Sequence, residues 1–151
     1  MWYKNHIDEI HRTKRCPFCE ELSQLSIIDQ NEHAFVVPAR APYHDDHILI
    51  LPKIHKSLLH DYTVEELDSV YELLTKRETL LYTKHKELVV FLRAWDILWA
   101  TGKTMDHLHR HIVPHFTIQF GWSQESSDKR VFLDDKSYTE MRERITNYII
   151  S

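Results

Sequence analysis

Asp106-His107-Leu108-His109-Arg110-His111-Ile112-Val113-Pro114 places three histidines at alternate positions. Read as a strand, the run sends side chains at i, i+2 and i+4 to one face, so three imidazoles stand side by side. A half-buried strand would ordinarily carry Val, Ile or Leu there, so three histidines cost stability and call for a chemical reason. One ring can attack while its neighbours hold charge or metal. Leu108 and Ile112 supply the core side of the strand, and Arg110 interrupts it. That guanidinium needs a carboxylate or the sheet edge, because a buried unpaired charge is costly.

Outward from this strand, His47-Ile48-Leu49-Ile50-Leu51-Pro52 reads as another, its unbroken apolar run predicting burial on both faces and Pro52 closing it. Residues 25–28 and 34–37 are short apolar stretches split by Asp29-Gln30-Asn31-Glu32, which predicts a hairpin. Thr63 and Glu66 form a capping box, after which Leu67, Val70, Tyr71, Leu74 and Leu81 recur at helical spacing toward Lys84-His85-Lys86. Basic residues at that end suit the negative pole of the helix dipole. A fourth strand is expected over residues 87–95, a loop with Gly102 over 96–106, and the fifth strand over 107–113. Ser137 and Glu140 suggest a second capping box, with Met141, Ile145, Tyr148 and Ile149 as the apolar face of a closing helix. The polar stretch 117–135 reads as a variable loop near a site, and the first fifteen residues, with Ile7 and Ile10 at helical spacing, as a short helix or arm. Strands on either side of a helix, without strict alternation, predict an α+β domain with an antiparallel sheet.

Size and composition bound the function. A chain of 151 residues fits one domain, here 1–151. With 42% hydrophobic and 28% charged residues it is ordinary globular material, and a net charge of −4 gives no case for nucleic-acid binding. No apolar run approaches the ~20 residues of a bilayer span, and Lys4, Asp8 and Glu9 stand where a signal peptide would be apolar. A cytoplasmic chain with no membrane partner is expected. In that reducing setting Cys16 and Cys19, separated by Pro17-Phe18, form no disulfide staple; they are a redox pair, metal ligands, or small buried hydrophobes. Of the other histidines, His6, His11, His44, His60 and His85 read as surface residues, and His33 and His47 flank strands and fit either reading.

The three alternating histidines, the Gly102-Lys103-Thr104 step before them and Pro114 after them resemble the signature of the histidine triad (HIT) family of nucleotide hydrolases and transferases. Cys16-Pro17-Phe18-Cys19, the strand ending Pro52-Lys53-Ile54-His55 and the capped helix fall in the family's order, so the resemblance covers about residues 16–116, between an arm (1–15) and a loop with a C-terminal helix (117–151). Residues 31–55 also resemble the related galactose-1-phosphate uridylyltransferases. The resemblance implies a HIT-like fold: an antiparallel sheet of about five strands, one long central helix and a C-terminal helix. It implies attack by His109 on the α-phosphorus of a dinucleoside polyphosphate or nucleoside phosphate conjugate, giving a nucleotidyl-histidine that water, phosphate or a sugar phosphate resolves. His111 would contact phosphate oxygens, joined by Thr104 and by Lys103, which replaces a frequent glutamine and can bind phosphate as a point charge. A nucleotide-binding module without turnover is the other reading. The zinc-carrying branch implies a closed structural site of Cys16, Cys19, His55 and His107. Relatives form two-fold dimers through the long helix and the following strand, so a homodimer is expected, with Trp95, Leu98 and Trp99 as its apolar surplus. His115 stands where many relatives carry arginine, and residues 36–41 offer only Arg40 as a polar side chain near the ribose position.

Overall fold

The computed structural model describes residues 16–20, 27–56, 58–93, 107–116 and 131–150, together with Asn5, Glu9, Arg12 and Thr13. In chain order these give α1 (Pro17–Glu20), β1 (Asp29–Gln30), β2 (Ala34–Pro38), β3 (Ile48–Pro52), a 3₁₀ turn (Leu59–Asp61), α2 (Val64–His85), β4 (Leu88–Arg93), β5 (His109–Pro114) and α3 (Asp135–Ile150). The strands form one antiparallel sheet in the order β1-β2-β3-β5-β4. β5 is thus inserted between β3 and β4, and the histidine strand lies inside the sheet.

The apolar run of β3 is buried on both faces, as its composition predicts. Ile48 and Ile50 join Ala34, Val36 and Ile112 beneath Val70, Leu73, Leu74 and Leu81 of α2 and Met141 and Ile145 of α3. Leu49 and Leu51 face the other way and pack with Phe35, Val37, Ala39 and Phe18 of α1. Paired residues of an antiparallel sheet share a face, so His111 lies on the α1 side with Leu49 and Phe91, and Arg110 on the α2 side with Ile50 and Leu92.

α2 begins at the predicted capping box: Thr63 Oγ accepts from the Glu66 N–H at 3.2 Å, and Glu66 Oε2 accepts from the Thr63 N–H at 3.2 Å. It ends at Lys86 in the left-handed region, φ 63°. The second box is not where Ser137 suggests. Asp134 caps α3 instead, its Oδ1 accepting from the Ser137 N–H at 2.7 Å, because the helix starts three residues earlier than the Ser137 pattern implies. The hairpin is also shifted. Asp29 and Gln30, expected as turn residues, pair with Val36 and Phe35 as β1, and Asn31 makes the turn by accepting from the Ala34 N–H at 2.9 Å. Asp29 has a reason to be in a strand: burial would raise its carboxyl, but hydrogen bonds from Lys76 and Arg77 of α2 outweigh that and hold it below the ordinary range.

Arg40, the polar candidate of residues 36–41, serves α3. Its Nε donates to the Leu133 carbonyl at 2.9 Å, its Nη2 pairs with Asp135, and the guanidinium lies over the rings of Phe132 and Tyr138. Tyr138 Oη donates to the Pro38 carbonyl at 2.9 Å and completes the dock. Arg110 is half-buried beside Ile50, Pro52, Tyr62, Leu67 and Val70, and forms no ion pair among the described residues; it is not wholly enclosed, which spares it the cost of full burial. Asn5, Glu9, Arg12 and Thr13 of the arm are helical. No described helix is long and apolar enough to cross a membrane.

Candidate active site and metal centre

The strand pairing of β5 starts at His109, and His107 lies at a bend just before it, where the Leu108 N–H donates to the Lys56 carbonyl at 3.1 Å. That bend separates His107 from the other two histidines. Its Nε2 lies 2.7 Å from the Pro52 carbonyl, and since a carbonyl only accepts, Nε2 carries the proton and Nδ1 the lone pair. Nδ1 faces Cys16 Sγ at 3.7 Å and Cys19 Sγ at 3.5 Å, and Cys19 Sγ lies 3.3 Å from His55 Nδ1. The four ligand atoms lie within 4.8 Å of one another.

These atoms fit a tetrahedral ion. With metal–sulfur and metal–nitrogen bonds of about 2.3 and 2.0 Å, the S···N edge of a zinc tetrahedron is about 3.5 Å, between the shortest and longest contacts seen. Pro52 supplies the outer hydrogen bond that ligating imidazoles usually have. Burial pushes the Cys16 thiol up to about 12, so it keeps its proton at neutral pH until a cation displaces it. The site is tied to the α2 capping box. Lys56 Nζ pairs with Glu66 Oε2 at 2.7 Å, and the Lys56 carbonyl accepts from Tyr62 Oη at 2.7 Å as well as from Leu108.

His109 and His111 stand next along the strand, both buried, with ring centroids 4.8 Å apart. His109 Nδ1 donates to the His107 carbonyl at 2.8 Å, so the lone pair of the neutral ring is on Nε2. Phe18, between the two cysteines, contacts His107 and His109 at 5.6 Å each and links the cysteine segment to this ring. The proton on His111 is set by a relay. The Tyr43 backbone N–H donates to His47 Nδ1 at 3.2 Å, which puts the His47 proton on Nε2; that N–H donates to His111 Nδ1 at 2.8 Å and leaves the His111 proton on Nε2. A lone pair and an N–H donor thus stand on adjacent rings. This pairing suits attack on an electrophile whose oxygens accept hydrogen bonds.

The predicted residues Cys16, Cys19, His55 and His107 come together in one cluster, and His109 and His111 in the next. Lys103, Thr104, Trp95, Leu98 and Trp99, and His6 and His11, lie outside the described residues. His60 is exposed as expected. His44 and His85 are not simple surface residues: with His115 they form a ring cluster with centroids 5.2–5.8 Å apart, and His85 Nε2 lies 2.7 Å from the buried Asp46 carboxylate. His115 sits at φ 50° with Nδ1 3.1 Å from Glu87, so it faces this cluster's edge. Of the two histidines that fit either reading, His47 belongs to the site. Its signal was its spacing: it stands two residues before Leu49, the cross-strand neighbour of His111.

Comparison with known proteins agrees with this geometry. The HIT domain family model matches residues 20–118. An uncharacterized HIT-like protein of Mycoplasma genitalium is 30% identical over 134 residues, 81% of this chain and 89% of that protein. The fold is similar to that of a Plasmodium falciparum diadenosine triphosphate hydrolase solved with cyclomarin A (TM-score 0.65, 16% identity, 83% of this chain and 76% of that one). It is also similar to a zinc-bound histidine triad family protein of Mycobacterium smegmatis (0.62, 17%, 91% and 98%). A uridylyltransferase matches over 97% of this chain and 49% of its own (0.65, 19%). The chain belongs to the HIT family, and its fold is the one shared by that family's nucleotide hydrolases and transferases.

Proposed function

We propose that the chain hydrolyses or transfers a nucleoside monophosphate group, acting at the α-phosphorus of dinucleoside polyphosphates or nucleoside phosphate conjugates. The observation that carries this reading is the lone pair on His109 Nε2, fixed by the Nδ1 bond to the His107 carbonyl. A neutral imidazole brings no charge against the phosphate oxygens and forms an intermediate that hydrolyses readily. Nε2 forms the N–P bond as the bond to the leaving oxygen breaks, and that oxygen departs as phosphate or takes a solvent proton. Water then attacks phosphorus on the opposite side, the N–P bond breaks, and the lone pair returns to His109 while the water's proton passes to solvent. The Nε2–H of His111 donates to a phosphate oxygen throughout, and Lys103 and Thr104 are assigned the remaining phosphate contacts.

Cys16, Cys19, His55 and His107 would hold zinc, as their donor types and spacing support. The ion would supply a rigid tie between the N-terminal loop and β5. The Phe18 contact with His109 transmits that tie to the nucleophile. A cytoplasmic location suits two cysteines held as ligands. The whole chain acts as one domain and as a two-fold dimer; the exposed Val90 on the open β4 edge and the exposed Tyr71 and Tyr82 of α2 support that pairing. Transfer to phosphate or a sugar phosphate would use the same intermediate and differ only in the acceptor.

The test is a panel of dinucleoside polyphosphates and nucleoside phosphoramidates, each with and without inorganic phosphate. Turnover with an acid-labile nucleotidyl label, lost in His109→Asn, is expected, and a phosphate-dependent nucleoside diphosphate product would assign transfer. Nucleotide binding without turnover, unchanged in His109→Asn, would instead make the chain a binding module.

A further inference from the structure

We infer that Phe91 is a positioning residue for His111. Phe91 is the cross-strand neighbour of His111 in the β4–β5 register. The two rings are stacked face to face, centroids 4.4 Å apart and planes within 8° of parallel. The stack belongs to a closed circuit. His111 meets His47 at 5.0 Å, His47 stacks on Tyr43 at 5.5 Å, Tyr43 meets Phe116 at 4.6 Å, and Phe116 returns to Phe91 at 6.0 Å.

The hydrogen bond from His47 and the stack on Phe91 do different things to the ring. The bond selects the tautomer by placing a donor against Nδ1. It does not define the ring plane, because χ2 of histidine is a broad torsion and a hydrogen bond tolerates tens of degrees of misalignment. A flat aromatic partner at 4.4 Å opposes that roll, since a tilted imidazole would run an edge into the Phe91 face. Phe91 therefore fixes the direction of the His111 Nε2–H by acting on the ring that carries it. Phe116 and Tyr43 close the circuit and keep Phe91 and His47 from moving apart.

The kinetic arm of the test rests on the proposed role of His111; the spectroscopic arm does not. In Phe91→Leu the site stays apolar and the plane is freed. With an adenosine phosphoramidate as probe, kcat is expected to fall about tenfold with little change in KM, the scale that a misdirected contact produces. Phe91→Tyr, which keeps the flat face, should restore it. ¹³C relaxation spectra of the imidazole CH groups should show the His111 ring rigid in wild type and Phe91→Tyr, and mobile about χ2 in Phe91→Leu. If Phe91→Leu does not fold, Phe91→Met is read in its place. A folded Leu or Met variant with wild-type kcat and a His111 ring as rigid as in wild type overturns the inference. Absence of turnover in wild type would sink the proposed activity, and the spectra would still decide the role of Phe91.

Discussion

Replacing His47 with leucine tests the relay that sets the His111 tautomer. The His47 side chain is fully buried, and it joins two groups: the part-buried Tyr43 N–H donates to its Nδ1, and its Nε2–H serves the buried His111 Nδ1. Leucine fills a similar volume, so the main loss is polar. Each buried group deprived of its partner costs ~1–3 kcal/mol, and two are affected, so the variant should lose roughly 2–6 kcal/mol. For a urea slope of about 2 kcal/mol per molar this is a midpoint drop of about 1–3 M. Glutamine at the same position carries both an acceptor and a donor and should recover part of the loss. In a His111→Phe background His47→Leu strands only the Tyr43 N–H, so its cost should fall by about half, a coupling of ~1–3 kcal/mol between the two positions. If His47→Leu stays within about 0.5 kcal/mol of wild type, the range of an ordinary surface change, the relay does not exist as described.

Other expectations are more direct. His44 is held below its ordinary value, first by burial and then by the neighbouring His85 and His115, against the opposing carboxylates of Asp46 and Asp45. Its stability contribution is therefore full above the unfolded value of about 6.5 and is lost as pH falls; melting curves from pH 8 to 5 should show a decline that His44→Gln flattens. Metal analysis should find zinc at one per chain, and stripping it with a chelator should lower the melting temperature by roughly 5–10 °C; a chain that is metal-free as purified and cannot be loaded with zinc, with Cys16→Ser melting like wild type, contradicts the centre. Ile112, fully buried under α2 and paired with both Ile48 and Val90, should cost about 2–5 kcal/mol as alanine in urea unfolding. A loss below ~1 kcal/mol would mean that the sheet centre collapses around the cavity.

The elements that side-chain pattern alone dictates were legible: the doubly buried β3, the capped α2 and the alternating β5. The misplacements share a cause. Asp29 and Gln30 look like turn residues, yet they form β1 because Lys76 and Arg77, almost fifty residues away, neutralise Asp29 there. Asp134 caps α3 in place of Ser137 because Arg40 and Tyr138 fix where that helix starts. Long-range partners of this kind leave no local trace. The Cys2His2 set and the two following histidines could be named from resemblance, but the groups that set their protons could not. Two of these are the carbonyls of Pro52 and His107, and a third is the N–H of Tyr43. Backbone groups carry no residue identity, so only the folded chain reveals them.

Those backbone groups explain how three identical side chains on one short segment acquire three chemistries. The Pro52 carbonyl takes the Nε2 proton of His107 and turns Nδ1 to the cysteines. The His107 carbonyl takes the Nδ1 proton of His109 and turns the lone pair to Nε2. For His111 the order is reversed, because an N–H, relayed through His47, meets Nδ1 and leaves Nε2 as a donor. Reversing the sense of any one bond would exchange the lone pair and the N–H on that ring without changing a residue of the motif. The alternation of histidines therefore specifies where the rings stand, and the Pro52 carbonyl, the His107 carbonyl and the Tyr43 N–H acting through His47 specify which nitrogen of each ring carries the proton.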